Sequence, residues 1–302
     1  MSRHNGQGPK GRRPPALQPH LLFMPPLGDG FAGAADAPGE PAAADREMLD
    51  YKVFGTRQVE AERLFWYRWI AGHQISFLMW RAMGDVVWLH SGDDADKPDE
   101  RELELLSACV DGYSAMLLYS STVPREHYHA DIRARMALQH PAFSGTWAPD
   151  YRPVRRLFRG KLPWQDDPAC AALDAAVARN EVTHSHIADH LVPDGHSLLQ
   201  KSAGVPGVSV SREKEDLYDN FFLTVRRPVS HAEFVAQLDS RIADLTADLR
   251  HNGLYPDVDG RHHPVVTAES DAVMRPLVTD IPQVLDRAAR LVSDLRLEEA
   301  RR

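Results

Sequence analysis

The stretch Phe65-Trp66-Tyr67-Arg68-Trp69-Ile70-Ala71-Gly72-His73-Gln74-Ile75-Ser76-Phe77-Leu78-Met79-Trp80-Arg81-Ala82-Met83-Gly84-Asp85-Val86-Val87-Trp88 decides how the rest of this chain must be arranged. Trp66, Ile70, His73, Phe77, Trp80, Gly84 and Val87 recur at alternating helical spacings, and Phe65, Trp69, Gly72, Ser76, Met79 and Met83 form a second stripe of nearly the same character. Stripes of this period lie along one face of an α-helix, and a helix apolar on two faces has to be surrounded by others. The stretch therefore predicts a central helix running to about Leu89. One residue does not suit that role. His73, followed by Gln74, stands where an apolar core would have placed leucine, and a histidine there needs a partner or a task.

Working outward, Ser91-Gly92-Asp93-Asp94 stops the central helix. A second helix is expected from about Asp99 to Ser120, with Leu103, Leu106, Val110, Tyr113 and Leu117 on one face, and a third from Pro124 to about Gln139, where Pro124 suits a first helical position. The segment His140 to Trp164 reads as an ordered irregular connection, Asp167 to about His190 as a fourth helix, and Val192 to Arg212 as a long irregular stretch of the kind that carries function. Two more helices are expected, from Ser230 to His251 and from Ile281 to the C-terminus. The apolar runs Val205 to Val210 and Phe221 to Val225 are too short to carry a sheet. Residues 1–45 are rich in Pro, Gly and Ala and predict a disordered arm, in which the apolar island Leu21-Leu22-Phe23-Met24 could dock on the body or on a neighbouring subunit. The expectation is an all-α helical bundle, with residues 46–302 as a single domain.

Composition narrows the function classes. An apolar fraction of 43% suits a protein with a sizeable core, and a net charge of −8, with basic residues scattered among acidic ones, does not suggest nucleic acid as a partner. Cys109 and Cys170 are too few for a disulfide framework, so a reducing cytoplasm is the expected location. No apolar run reaches the roughly 20 residues of a membrane span, and Arg12-Arg13 is followed by Pro-Pro rather than by the apolar core of an export signal.

Chemistry is sought among the 15 histidines. His184, His186 and His190 form the densest cluster. His186 and His190 could hold zinc with a third ligand from elsewhere, or the group could serve the negative end of the fourth helix as cations. His127 and His129 flank Tyr128 in the third helix, where Arg133 either joins a solvated face or points inward to take a carboxylate bidentately. His196 lies in the irregular stretch, ahead of Gly204-Val205-Pro206-Gly207-Val208-Ser209-Val210-Ser211, which is a weak phosphate-cradle signal.

Taken together and in order, these segments resemble the tryptophan 2,3-dioxygenase superfamily of histidine-ligated haem proteins. The resemblance rests on His73-Gln74 followed by an apolar, Trp-containing run to Met83, and on Ser121-Thr122-Val123-Pro124 through Ile132-Arg133. Phe143-Ser144-Gly145, the arginines from Arg152 to Arg156, and His196 with the Gly/Ser segment after it complete it. The chain departs from that family in its Gly-Val-Ser-Val-Ser loop and in its shorter length. In length and in Pro193-Asp194-Gly195-His196 it is closer to the bacterial haem-dependent L-tyrosine hydroxylases of natural-product pathways.

That resemblance implies a tryptophan-dioxygenase-like bundle enclosing haem b. The implied reaction is hydroxylation of L-tyrosine to 3,4-dihydroxy-L-phenylalanine with hydrogen peroxide, in antibiotic-type biosynthesis. It implies His196 as the iron ligand, with Asp194 or a backbone carbonyl behind its ring, His73 as the distal proton handler, and Trp69 and Phe77 lining the pocket. Arg133 would hold the substrate carboxylate, and Ser209 or Ser211 the amino group or a haem propionate. His90, at the end of the same helix, is the alternative to His73. A homodimer or homotetramer is the implied assembly. Two other readings are a tryptophan or indole oxygenase of the same superfamily and a non-catalytic haem sensor. Thiolate ligation through Cys170 lacks the glycine-flanked loop that such a ligand needs.

Overall fold

The computed structural model describes residues 17–33, 60–92, 96–192, 196–202, 209–257, 264, 266 and 270–295, and their regular structure is helical apart from two three-residue strands. The central helix, α1, runs Glu60–Leu89. Ile70, Ile75, Leu78, Met79, Met83 and Val86 on it are fully buried, as two-sided apolar patterning requires. Gly72 permits a close approach: a Cβ at this position would lie 2.1 Å from the Ser120 hydroxyl, so the Ser120 side chain rests directly on the α1 backbone.

That next helix, α2 (Glu100–Ser120), begins at a capping box, in which the Asp99 carboxylate accepts from the Glu102 amide while the Glu102 side chain accepts from the Asp99 amide. It lies against α1, α4 (Ala171–Leu191) and α9 (Ile281–Ser293). Between α2 and α4 the third helix, α3, spans 125–139. It departs from the expected regular helix: one α turn, Arg125–His127, leads into a π-helical segment, Tyr128–Arg133, before α geometry resumes over Ala134–Gln139. After α4 come α5 (Leu198–Lys201), α6 (Arg212–Phe221), α7 (His231–Asn252) and α8 (Asp271–Val278), the last absent from the sequence-based expectation because Pro276 interrupts its pattern.

The two strands pair in parallel, β1 (Leu22–Met24) with β2 (Thr224–Arg226), Leu22 opposite Thr224. Within the span expected as an arm, residues 17–33 are therefore a strap laid on the body, held because Leu22 and Met24 are completely buried. The rest of that span lies outside the described residues, as do residues 46–59 at the start of the expected domain. Among the described residues no helix is long and apolar enough to cross a membrane.

Two buried polar nodes lock α1 in place. The Arg68 guanidinium, without solvent contact, donates to Asp248 (2.8 Å), Thr122 (3.0 Å) and the carbonyls of Leu254 (2.7 Å) and Gly253 (2.6 Å), and Asp248 also accepts from Tyr119 and Asn252. The Gln74 amide donates to the carbonyls of His20 (2.8 Å) and Phe222 (2.9 Å), and its oxygen accepts from Arg241 (3.0 Å). Removing one member of a buried pair strands the other charge, which costs about 3–5 kcal/mol. Asp248→Ala is accordingly expected to lower the unfolding free energy by about that amount in urea titrations. A loss below about 1 kcal/mol would show that water replaces the pair.

Candidate active site

His73 sits midway along α1 with its Nδ1 2.7 Å from the Trp69 carbonyl oxygen. A carbonyl can only accept, so Nδ1 carries the hydrogen and Nε2 keeps its lone pair in the neutral ring. Aromatic rings cover both faces: Trp69 at 4.4 Å between centroids on one, and Phe222 stacked at 4.4 Å and 16° on the other, with Phe77 edge-on at 6.4 Å. Burial pushes the His73 pKa down to about 4, and the Trp69 carbonyl only partly opposes it. The imidazole is thus a neutral acceptor at physiological pH.

The π segment supplies the next group of residues. A π turn closes between residues five apart, which brings Tyr128 and Arg133 onto one face, and such segments recur at functional sites. The Tyr128 ring lies 5.6 Å from Trp69, its hydroxyl is hydrogen-bonded to Arg133, and an Arg133 Nη2 donates to the His196 carbonyl oxygen at 3.1 Å. Arg133 is buried, with no carboxylate among its described contacts. His73, Trp69, Tyr128, Arg133 and the His196 backbone therefore form one continuous series of contacts. Beside it, Trp69 Nε1 and His129 Nε2 are buried without a hydrogen-bond partner among the described residues, and burial, with Arg133 and Arg125 adding to it, lowers the His129 pKa.

Phe77 belongs to the aromatic wall of this site, 5.7 Å from Tyr218 and 5.4 Å from Phe222, with Phe143 stacked on Tyr218 at 5.3 Å. The sequence reading passed over Tyr128 as a contact residue, and over Tyr218 and Phe222. The signal for the last two was present: Tyr218, Phe221 and Phe222 share one face of a helix end.

Other candidates lie apart. His90 is occupied elsewhere, its Nδ1 2.6 Å from the Asp96 carbonyl oxygen and its Nε2 3.0 Å from Glu102. Seventeen residues of helix, about 25 Å, separate it from His73. Ser209 and Ser211 are exposed at the start of α6, where the Ser209 carbonyl accepts from Lys214 at 2.6 Å. No described hydrogen bond joins either serine side chain to the His73 series. Asp194 and residues 203–208 lie outside the described residues. Cys170 donates to the Trp164 carbonyl at 3.3 Å and burial raises its pKa, the opposite of what a thiolate ligand needs. His184, His186 and His190 all fall on α4, and among the described residues no three His, Cys, Asp or Glu side chains gather as a metal site would.

The donors present fit a haem. His196 is exposed rather than locked into the core, the buried Arg133 cation donates to its backbone carbonyl, the wall is aromatic, and the unpartnered Trp69 and His129 nitrogens offer polar contacts.

Neutral His73 also marks the stability profile. The unfolded histidine takes up its proton near pH 6.5 and the folded one resists until about 4, so its contribution is complete above pH 6.5 and is lost as pH falls toward 4. Urea titrations are expected to show that His73→Gln abolishes a loss on the order of 3 kcal/mol between those limits; parallel profiles for the two proteins would contradict the burial described.

Comparison with known proteins gives one family. No curated protein matches the chain. Residues 27–180 match the family model described as SfmD 3-methyl-L-tyrosine peroxygenase. The matched span holds Trp69, His73, Phe77, Tyr128 and Arg133, and ends before His196 and Phe222. Covering half of the chain, the match places this protein in the SfmD 3-methyl-L-tyrosine peroxygenase family.

Proposed function

We propose that this chain is a haem-dependent peroxygenase that hydroxylates L-tyrosine at the ring 3-position, yielding 3,4-dihydroxy-L-phenylalanine, as a step in natural-product biosynthesis. The observation that carries the reading is the contact series from His73 through Trp69, Tyr128 and Arg133 to His196, most of it inside the span matched by a peroxygenase family. The overall change balances without a reductant: one oxygen atom of hydrogen peroxide replaces a ring C–H by C–OH, and the other leaves as water.

Side chains alone do not carry out this two-electron oxygen transfer, so the reading includes haem b, which His196 would hold, with residues 46–302 as the haem-binding catalytic domain. Haem would supply the activation of peroxide. The protein would supply position and proton control. Arg133, buried and without a carboxylate, is suited to take the substrate α-carboxylate in a fork of two hydrogen bonds. Trp69 and Phe77 would hold the phenol ring by its faces and edges. His73, with Nδ1–H committed and Nε2 open, would accept the proton that peroxide or the phenol gives up. Ser209 or Ser211 would contact the amino group or a propionate, and assembly as a dimer or tetramer belongs to the same reading.

The family description favours a second substrate, 3-methyl-L-tyrosine, which would be hydroxylated at the free ortho carbon. Both amino acids are distinguished by one experiment: haem-reconstituted protein is given each with hydrogen peroxide, and product is read by mass as the gain of one oxygen. The reading expects a Soret band that His196→Ala abolishes; a chain that takes up no haem would overturn it. Arg133→Lys is expected to raise KM for the amino acid about 10–100-fold, the cost of losing the two-bond guanidinium fork, with a smaller change in kcat. An unchanged KM would remove Arg133 from the carboxylate site.

A further inference from the structure

We infer that Phe222, held in place by Gln74, is a positioning residue for His73: it covers a face of the imidazole and holds the ring where the Trp69 carbonyl fixes its Nδ1–H form, with Nε2 open as the acceptor. The inference deepens the proposed function and rests on its reading of His73 as the working histidine.

Three observations on different elements converge on Phe222. Its ring is nearly parallel to the imidazole, at 16° and 4.4 Å, so it covers a face rather than filling a gap. Its carbonyl is held by the Gln74 amide at 2.9 Å, and Gln74 is the neighbour of His73 in sequence, so one helix carries both the ring and the clamp on what covers it. The orientation of that amide is decided by its other partner. The Arg241 guanidinium has no acceptor, so the Gln74 oxygen must face it, which turns the NH₂ group toward the Phe222 and His20 carbonyls.

The third observation is the backbone just beyond. Leu223 has φ of +56°, a left-handed conformation that costs a non-glycine residue about 1–3 kcal/mol and persists only where its surroundings impose it. It is imposed here by the Leu22 amide donating to the Leu223 carbonyl at 2.9 Å and by the Leu223 amide donating to Asn220 at 3.1 Å. The turn lets α6 end, delivers Phe222 inward and sends β2 off beside the strap. A core aromatic needs neither a strained turn nor a buried amide to hold it.

No charged group competes for control of His73. Burial and the Trp69 carbonyl are the influences on its protonation. The π segment carries Tyr128, His129, Asp131 and Arg133, and α6 carries Arg212, Glu213, Lys214, Glu215, Asp216, Tyr218 and Asp219; none of them is among the influences on His73. Opening the Phe222 face to water is thus the change that should free the ring.

The test is ¹⁵N-histidine NMR on the purified full-length protein, in the diamagnetic ferrous carbonyl form where haem is bound. Wild type should show His73 as the Nδ1–H tautomer with its titration midpoint about 4. Phe222→Leu should raise that midpoint by about one unit or more toward the ordinary value and mix the tautomers. Gln74→Leu should act in the same direction, and if it does not fold, Phe222→Leu decides alone. Phe143→Leu, which loosens the same aromatic cluster without touching His73, should leave midpoint and tautomer unchanged. A Phe222→Leu protein whose His73 titrates as in wild type, or a Phe143→Leu protein that shifts it equally, overturns the inference. The measurement needs no turnover, so a protein that fails to hydroxylate tyrosine would undo the proposed function while leaving this result readable.

Discussion

The Arg68 guanidinium has no water to turn to. Because α1 is apolar on two faces, neighbouring helices enclose it, and its polar side chains must be answered by other elements. The end of α2 answers Arg68 with Thr122, α7 with Asp248, and the chain just past α7 with the Gly253 and Leu254 carbonyls. A cation buried this way contributes little net stability and much specificity, since any other arrangement of these elements leaves it stranded. Two turns along α1, Gln74 extends the same logic to the strap, the α6–β2 turn and α7.

What the amino-acid sequence reveals follows from how local the causes are. The central helix, the second helix with its Asp99–Glu102 cap, and the long amphipathic α7 are legible because periodicity and capping act over a few residues. The strap is not. Leu22 and Met24 look like an apolar island in a Pro/Gly-rich region, and only their pairing with Thr224–Arg226, far along the chain, makes them a strand. The π segment escapes for a different reason: one extra residue in a helical turn leaves no mark on composition, although it decides that Tyr128 and Arg133 share a face.

The candidate site divides the same way. His73, Trp69, Phe77 and Arg133 stand out singly in the sequence, and their mutual contact depends on the π turn and on Tyr128 between them. Phe222 owes its place to a turn held from α1 and the strap. The outcome is a half-buried histidine flanked by aromatic rings, whose burial rather than any charged neighbour lowers its pKa. Proton acceptance at such a ring is controlled by the closeness of two aromatic faces, which is a packing property.

The parallel pairing of β1 with β2 also orders events in time. The partners are about 200 residues apart, a long loop to close, and such contacts come late in folding. On a ribosome adding about 5–20 residues per second, β1 waits some 10–40 seconds with its hydrogen-bonding edge unpaired before β2 is made. Helices α1 to α5 have that interval to assemble, and the Phe222 face over His73 follows them, ahead of α7, α8 and α9. A nascent chain therefore carries the imidazole well before it carries the surface that tunes it.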